Sequence, residues 1–169
     1  MNVDRLTGMS TGAPYSACKT EGNKAIVDRW LTSFWGNDYN PAIVDELAAP
    51  DIFFSHSLHL PRIGPVSLKT FMANLREAFP DLSLERTAGL IADSDVVMFR
   101  WLCAGTHAGP AFYDLVMGAL PDASDRKIRF SGMSAIRLKA GKIVEEVGLA
   151  DGVTALNQLG FIRVPVWPA

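Results

Sequence analysis

The chain has 169 residues, 49% of them hydrophobic and 20% charged, with a net charge of −2. That length suits one domain, and the composition supplies a core large enough to fold without a disulfide or a metal, which argues against disorder. The bases are scattered apart from Arg126, Lys127 and Arg129, so neither nucleic acid nor an anionic membrane is expected as a partner.

Residues 1–21 are rich in Gly, Ser, Thr and Ala without periodicity, and are expected to form a flexible leader before a single domain over 22–169. They lack the apolar stretch of a signal peptide, and no run of about 18 apolar residues occurs to span a bilayer. With Cys18 and Cys103 taken as unpaired thiols, the expected compartment is the cytoplasm. A helix is expected over 23–34, where Ile26, Val27, Trp30, Leu31 and Phe34 form one apolar stripe that ends at Gly36-Asn37-Asp38. Pro41 opens a second short helix, and 52–56 is a strand. After a loop over 57–65, a helix over 67–78 buries Leu68, Phe71, Met72 and Leu75, and Pro80 stops it.

Four strands follow, over 82–91, 96–104, 127–138 and 142–149. The apolar insert 112–120, inside the loop 105–126, reads as a helical turn. Strand 96–104 is apolar on both sides apart from Arg100, so both its faces are expected to be covered. A last helix spans about 153–159 and stops at Gly160. Helices first and antiparallel strands afterwards give an α+β domain, its sheet curved around the N-terminal helices with an apolar hollow at the open end.

Five segments carry a resemblance. They are the first helix; Phe79-Pro80-Asp81-Leu82; Gly105-Thr106-His107 followed by Gly109; Gly141-Lys142-Ile143-Val144-Glu145; and Asp151 with Gln158-Leu159-Gly160. In order and spacing over 22–161 they resemble the SnoaL-like polyketide cyclases of the nuclear-transport-factor-2-like superfamily. The resemblance implies a cone-shaped, cystatin-like α+β barrel, usually a homodimer packed through the outer sheet face. It also implies ring closure of an apolar, polyketide-like carbonyl compound by intramolecular aldol condensation, with no cofactor and no metal. In the family an aspartate on the last strand is the acid/base, and a histidine on the preceding strand faces it. Those positions fall on Gly148 and Ser134 here, neither of which exchanges a proton near neutral pH.

Other residues are candidates for the chemistry. A period of two puts Val144, Glu146 and Gly148 on one face, which makes Glu146 the nearest carboxylate to the missing aspartate. His56 ends the first strand, where an imidazole can take a proton or orient a carbonyl. Arg100 is expected to be buried, paired with Glu146 or Asp51 or bound to a ligand carbonyl. His59 is expected to be exposed, and no third ligand joins it and His56 in a zinc site. Asp151 suits a helix N-cap. Trp30, Phe34, Phe54, Trp101, His107, Ser134, Gly148 and Asp151 are expected to line the hollow.

Three functions stay open. One is a cofactor-free enzyme that abstracts a proton beside a carbonyl and then cyclises, isomerises or eliminates, with Glu146 or His56 as base and Arg100 or His107 steadying the enolate. Another is a dimeric ligand-binding module without catalysis. The last is an epoxide hydrolase or dehydratase in which a carboxylate paired with an arginine or a histidine activates water, a pair that Arg100 and Glu146 could supply.

Overall fold

The computed structural model describes residues 12–163. Helix α1 (Gly12–Trp30) runs into one π-helical turn, Leu31–Trp35, and is followed by α2 (Ala42–Leu47), β1 (Ala48–His56), β2 (Arg62–Ile63) and α3 (Pro65–Ala78). Then come β3 (Ser83–Arg86), β4 (Ile91–Asp93), β5 (Val96–Thr106), β6 (Phe112–Leu115), β7 (Gly118–Leu120), β8 (Lys127–Lys139), β9 (Lys142–Ala150) and α4 (Gly152–Gln158). The main sheet has the order β2-β1-β9-β8-β5-β3, with β4 also on β5, while β6 and β7 form a separate hairpin. β1 runs parallel to β9 and the other pairs are antiparallel, so the α+β fold is built on a mixed sheet.

Val27, Trp30 and Phe34 from the first helix and Leu68, Phe71 and Met72 from α3 are buried with Ile52, Phe54, Val97, Phe99 and Ile136 from the sheet. Each large side chain so buried contributes roughly 1.5–3 kcal/mol, which is what bends the sheet onto the helices. Among the described residues no helix is long and apolar enough to cross a membrane.

Four local expectations are corrected. The first helix begins at Gly12, so 12–21 are helical, and residues 1–11 of the expected leader lie outside the described residues. Lys19 pairs with Asp95 at 2.6 Å and the Asn23 side-chain amide donates to the Ser94 carbonyl at 3.0 Å. Those contacts, seventy residues away in sequence, anchor a segment that carries no stripe of its own. The strand over 82–91 is interrupted between Arg86 and Ile91. The insert 112–120 is a hairpin, turned at Val116-Met117, because a short apolar run does not by itself separate helix from strand. Finally, β5 is covered on one face only. Val97, Phe99, Trp101 and Cys103 are buried, whereas Met98 and Arg100 point to solvent, because the helices occupy just the concave side.

Candidate active site

Cross-strand register builds the inner wall. His56, Gly148, Ser134 and Phe99 form one rung across β1, β9, β8 and β5, and Phe54, Glu146, Ile136 and Val97 form the next. All eight are buried and share a face, so the side chains of neighbouring rungs touch. A register shift near Leu138 and Ile143 turns Ile143 inward, and Val144 is only half-buried.

Glu146 is fully buried, and three nitrogens converge on its carboxylate. Trp30 Nε1 donates to Oε2 at 2.8 Å and Trp35 Nε1 donates to Oε1 at 3.0 Å, while His56 Nε2 lies 3.1 Å from Oε1. An indole N–H can only donate, so a carboxylate satisfies all three partners at once, with His56 in its Nε2–H form. That leaves His56 Nδ1 with the lone pair, and no group among the described residues hydrogen-bonds it. The imidazole stacks on Phe54 at 4.7 Å and lies 5.2 Å from Trp35.

His56 lines an internal cavity of about 50 Å³, shared with Trp35, His59, Phe79, Trp101, Phe112 and Phe130. Apart from the two histidines no ionisable side chain other than Cys103 lines it. Burial pushes the Cys103 thiol up to about 12, so it stays protonated and is no nucleophile.

The structure thus joins two of the three catalytic candidates, His56 and Glu146, and separates the third. Arg100 is exposed on the outer face, because the flanking Phe99 and Trp101 take the inner one. An Arg100–Glu146 pair does not exist, and with it goes the water-activating arrangement built on that pair. Of the expected lining residues, Trp101 is at the cavity. Trp30, Phe34 and Phe54 pack beneath it in the solid core, with Trp30 and Phe34 stacked at 4.3 Å. Gly148 lies under the His56 ring. Ser134 is covered by Trp101, whose indole crosses Gly132 and donates to Ser134 Oγ at 2.9 Å.

His107 is fully buried away from the cavity. Its Nδ1 accepts from Ser124 Oγ at 2.9 Å and its Nε2 donates to the Pro110 carbonyl at 3.1 Å, which locks the loop before β8. Asp151 is exposed and caps α4, accepting from the Thr154 amide at 3.1 Å and from its hydroxyl at 2.6 Å. Those two bonds, hydroxyl first, hold its carboxyl below the usual range.

Two residues were missed or misplaced by sequence reasoning. Trp35, at i+8 from Val27, is not part of the stripe expected for the first helix, and it sits in the π turn with its indole on Glu146. His59, expected to be exposed, is half-buried at the cavity wall, because the hairpin β6–β7 folds over it through the bridge to Leu115.

Helices seated in the concave face of a mixed sheet, with a histidine–carboxylate pair on the inner wall, define a cone-shaped α+β pocket protein. The SnoaL-like polyketide cyclase family model matches residues 25–159, and the chain belongs to that family. A protein of Jannaschia sp. CCS1, assigned as a SnoaL-like polyketide cyclase, aligns over 96% of this chain and 100% of its own at 18% identity, with a TM-score of 0.72. A phenazine biosynthesis-related protein of Pseudomonas aeruginosa aligns over 94% and 97% at 16% identity, also with a TM-score of 0.72. TsrD of Streptomyces laurentii aligns over 84% and 97% at 18% identity, with a TM-score of 0.65. At these identities the likeness is one of fold. No curated protein matches the chain significantly.

Proposed function

We propose that the chain is a cofactor-free cyclase or isomerase in which His56, oriented by Glu146, removes a proton beside the carbonyl of an apolar small molecule. The observation that carries this is the His56–Glu146 contact at the wall of an otherwise apolar cavity. Glu146 keeps the proton on Nε2 and balances the imidazolium formed when Nδ1 takes a proton from carbon. The sequence favoured Glu146 or His56 as base. Glu146 does not line the cavity, so His56 is the base and Glu146 its positioning residue. The enolate then attacks a second carbonyl, closing a ring whose alkoxide takes the proton back from His56 Nδ1, or, where a C=C bond conjugates it, takes that proton at the γ-carbon.

The experiment is hydrogen–deuterium exchange at the α-carbon of small enolisable ketones in D2O, followed by proton NMR. The wild-type chain is expected to accelerate exchange, and His56→Ala to lower that acceleration roughly 10²–10⁴-fold. Glu146→Gln gives a smaller loss. Ketones that bind without exchanging faster than in buffer leave the non-catalytic binding module as the correct function.

The partner proposed for the outer face is a second copy of the chain. Supporting this, Met98, Met133, Val147 and Leu149 are exposed there at neighbouring register positions.

A further inference from the structure

Four buried polar side-chain atoms among the described residues have no hydrogen-bond partner: Tyr39 Oη, Arg62 Nε, Arg76 Nε and His59 Nδ1. Of these, only His59 belongs to a residue that lines the cavity. Its ring stands edge-on to Phe71 at 5.0 Å and to Phe112 at 5.9 Å, so it is held in place without using Nδ1. With its proton on Nε2, the ring presents Nδ1 as a bare acceptor.

We propose that His59 Nδ1 is the specificity-determining acceptor for a hydroxyl group of the ligand, so that the substrate class is an uncharged, apolar molecule carrying an alcohol, phenol or enol O–H. A buried acceptor without a partner forfeits a hydrogen bond that a ligand hydroxyl restores. The surroundings select an uncharged donor. Burial first, and then the neighbouring His56 and Arg62, push the His59 pKa down to about 3, so the ring is neutral and cannot pair with a ligand carboxylate. No Asp, Glu, Lys or Arg lines the cavity to neutralise a charged ligand, and the wall is aromatic and aliphatic. The inference rests on the cavity being the ligand site, and needs no proton transfer at His56.

The test is a matched pair, phenol and anisole, titrated into the full-length protein labelled with 15N-histidine. Phenol is expected to bind roughly ten-fold more tightly than anisole, and to move the His59 Nδ1 resonance upfield as its lone pair becomes hydrogen-bonded. His59→Phe keeps the ring but removes the acceptor. It is expected to abolish the preference while leaving anisole affinity unchanged. The 15N readout on wild-type protein keeps the test valid should that variant not fold. Equal affinities for the pair overturn the proposal, as do no binding of either compound, a preference that survives in His59→Phe, or a His59 resonance that stays still while phenol binds. Phenol preference without any α-proton exchange on ketones overturns the catalytic role of His56 and leaves this inference standing.

Discussion

At Gly148 a Cβ would lie 2.4 Å from His56 Cε1, 2.5 Å from Nδ1 and 2.6 Å from Nε2. A side chain at 148 and the imidazole in its present place therefore exclude one another. The resemblance implied an aspartate at 148; the space a side chain there would need is taken by an imidazole reaching across from β1. Gly148→Ala is expected to cost roughly 1–3 kcal/mol in urea unfolding, as overpacking does, and to suppress ketone exchange. In a His56→Ala background the same substitution should cost far less, a coupling of at least about 1 kcal/mol between residues in contact. Additive losses would show that the ring does not sit over Gly148. The count from turn and helix landmarks on both sides put the expected aspartate position on Gly148. What stands in its place was not legible, because the parallel pairing of β1 with β9 joins residues ninety positions apart. Arg100 was legible in principle: strict alternation with Phe99 and Trp101 already turns it outward.

The element that assembles the carboxylate's donors is the π turn. Trp30 and Trp35 are five residues apart, a spacing that an α-helix of 3.6 residues per turn spreads around its axis and a π turn brings back into line. The period of the first helix carries on to Trp35, at i+4 from Leu31, but with Gly36-Asn37-Asp38 as its end the expected stripe stops at Phe34. Two features close the turn. Gly36 has no Cβ where one would lie 2.0 Å from the Thr32 carbonyl oxygen. Arg76, from α3, donates through Nη2 to the carbonyls of Trp35 at 3.1 Å and Gly36 at 2.5 Å, groups that a helix end otherwise leaves unpaired. Its guanidinium also lies over the Tyr39 ring at 5.4 Å. Arg76→Met retains the apolar stem and removes these bonds. The expected outcome is a stability loss of about 1–3 kcal/mol, with ketone exchange slowed because Trp35 no longer fixes Glu146. Unchanged stability and exchange together would mean that the turn holds without its cap.

At the scale of the whole molecule, the order of helices before strands was enough for an α+β domain wrapped around a hollow. The strand expected to be covered on both faces was half right. The helices reach only the concave side, and Met98 is left exposed on the other. On the outer face, Met98 adjoins Ala135 and Val147 on one rung, and Arg100 adjoins Met133 and Leu149 on the next, which makes the apolar side chains one continuous strip. Leu149 is 69% exposed and Met133 46%. In a two-fold pairing of this strip with a second copy, residue i of one copy meets residue j of the other, and these groups bury one another. The charged Arg137 and Glu145, paired to each other at 3.0 Å, lie beyond the end of the strip and stay wet. The chain is therefore expected to sediment as a dimer at micromolar concentration. Met133→Lys sets two like charges facing each other near the centre and should weaken the dimer by about 2 kcal/mol, roughly 30-fold in Kd. The residues around His56 and Glu146 all come from one chain, so the Met133→Lys monomer should keep its ketone exchange. A wild-type chain that sediments as a monomer, or a Met133→Lys variant as dimeric as its parent, would show that the strip is not the contact face.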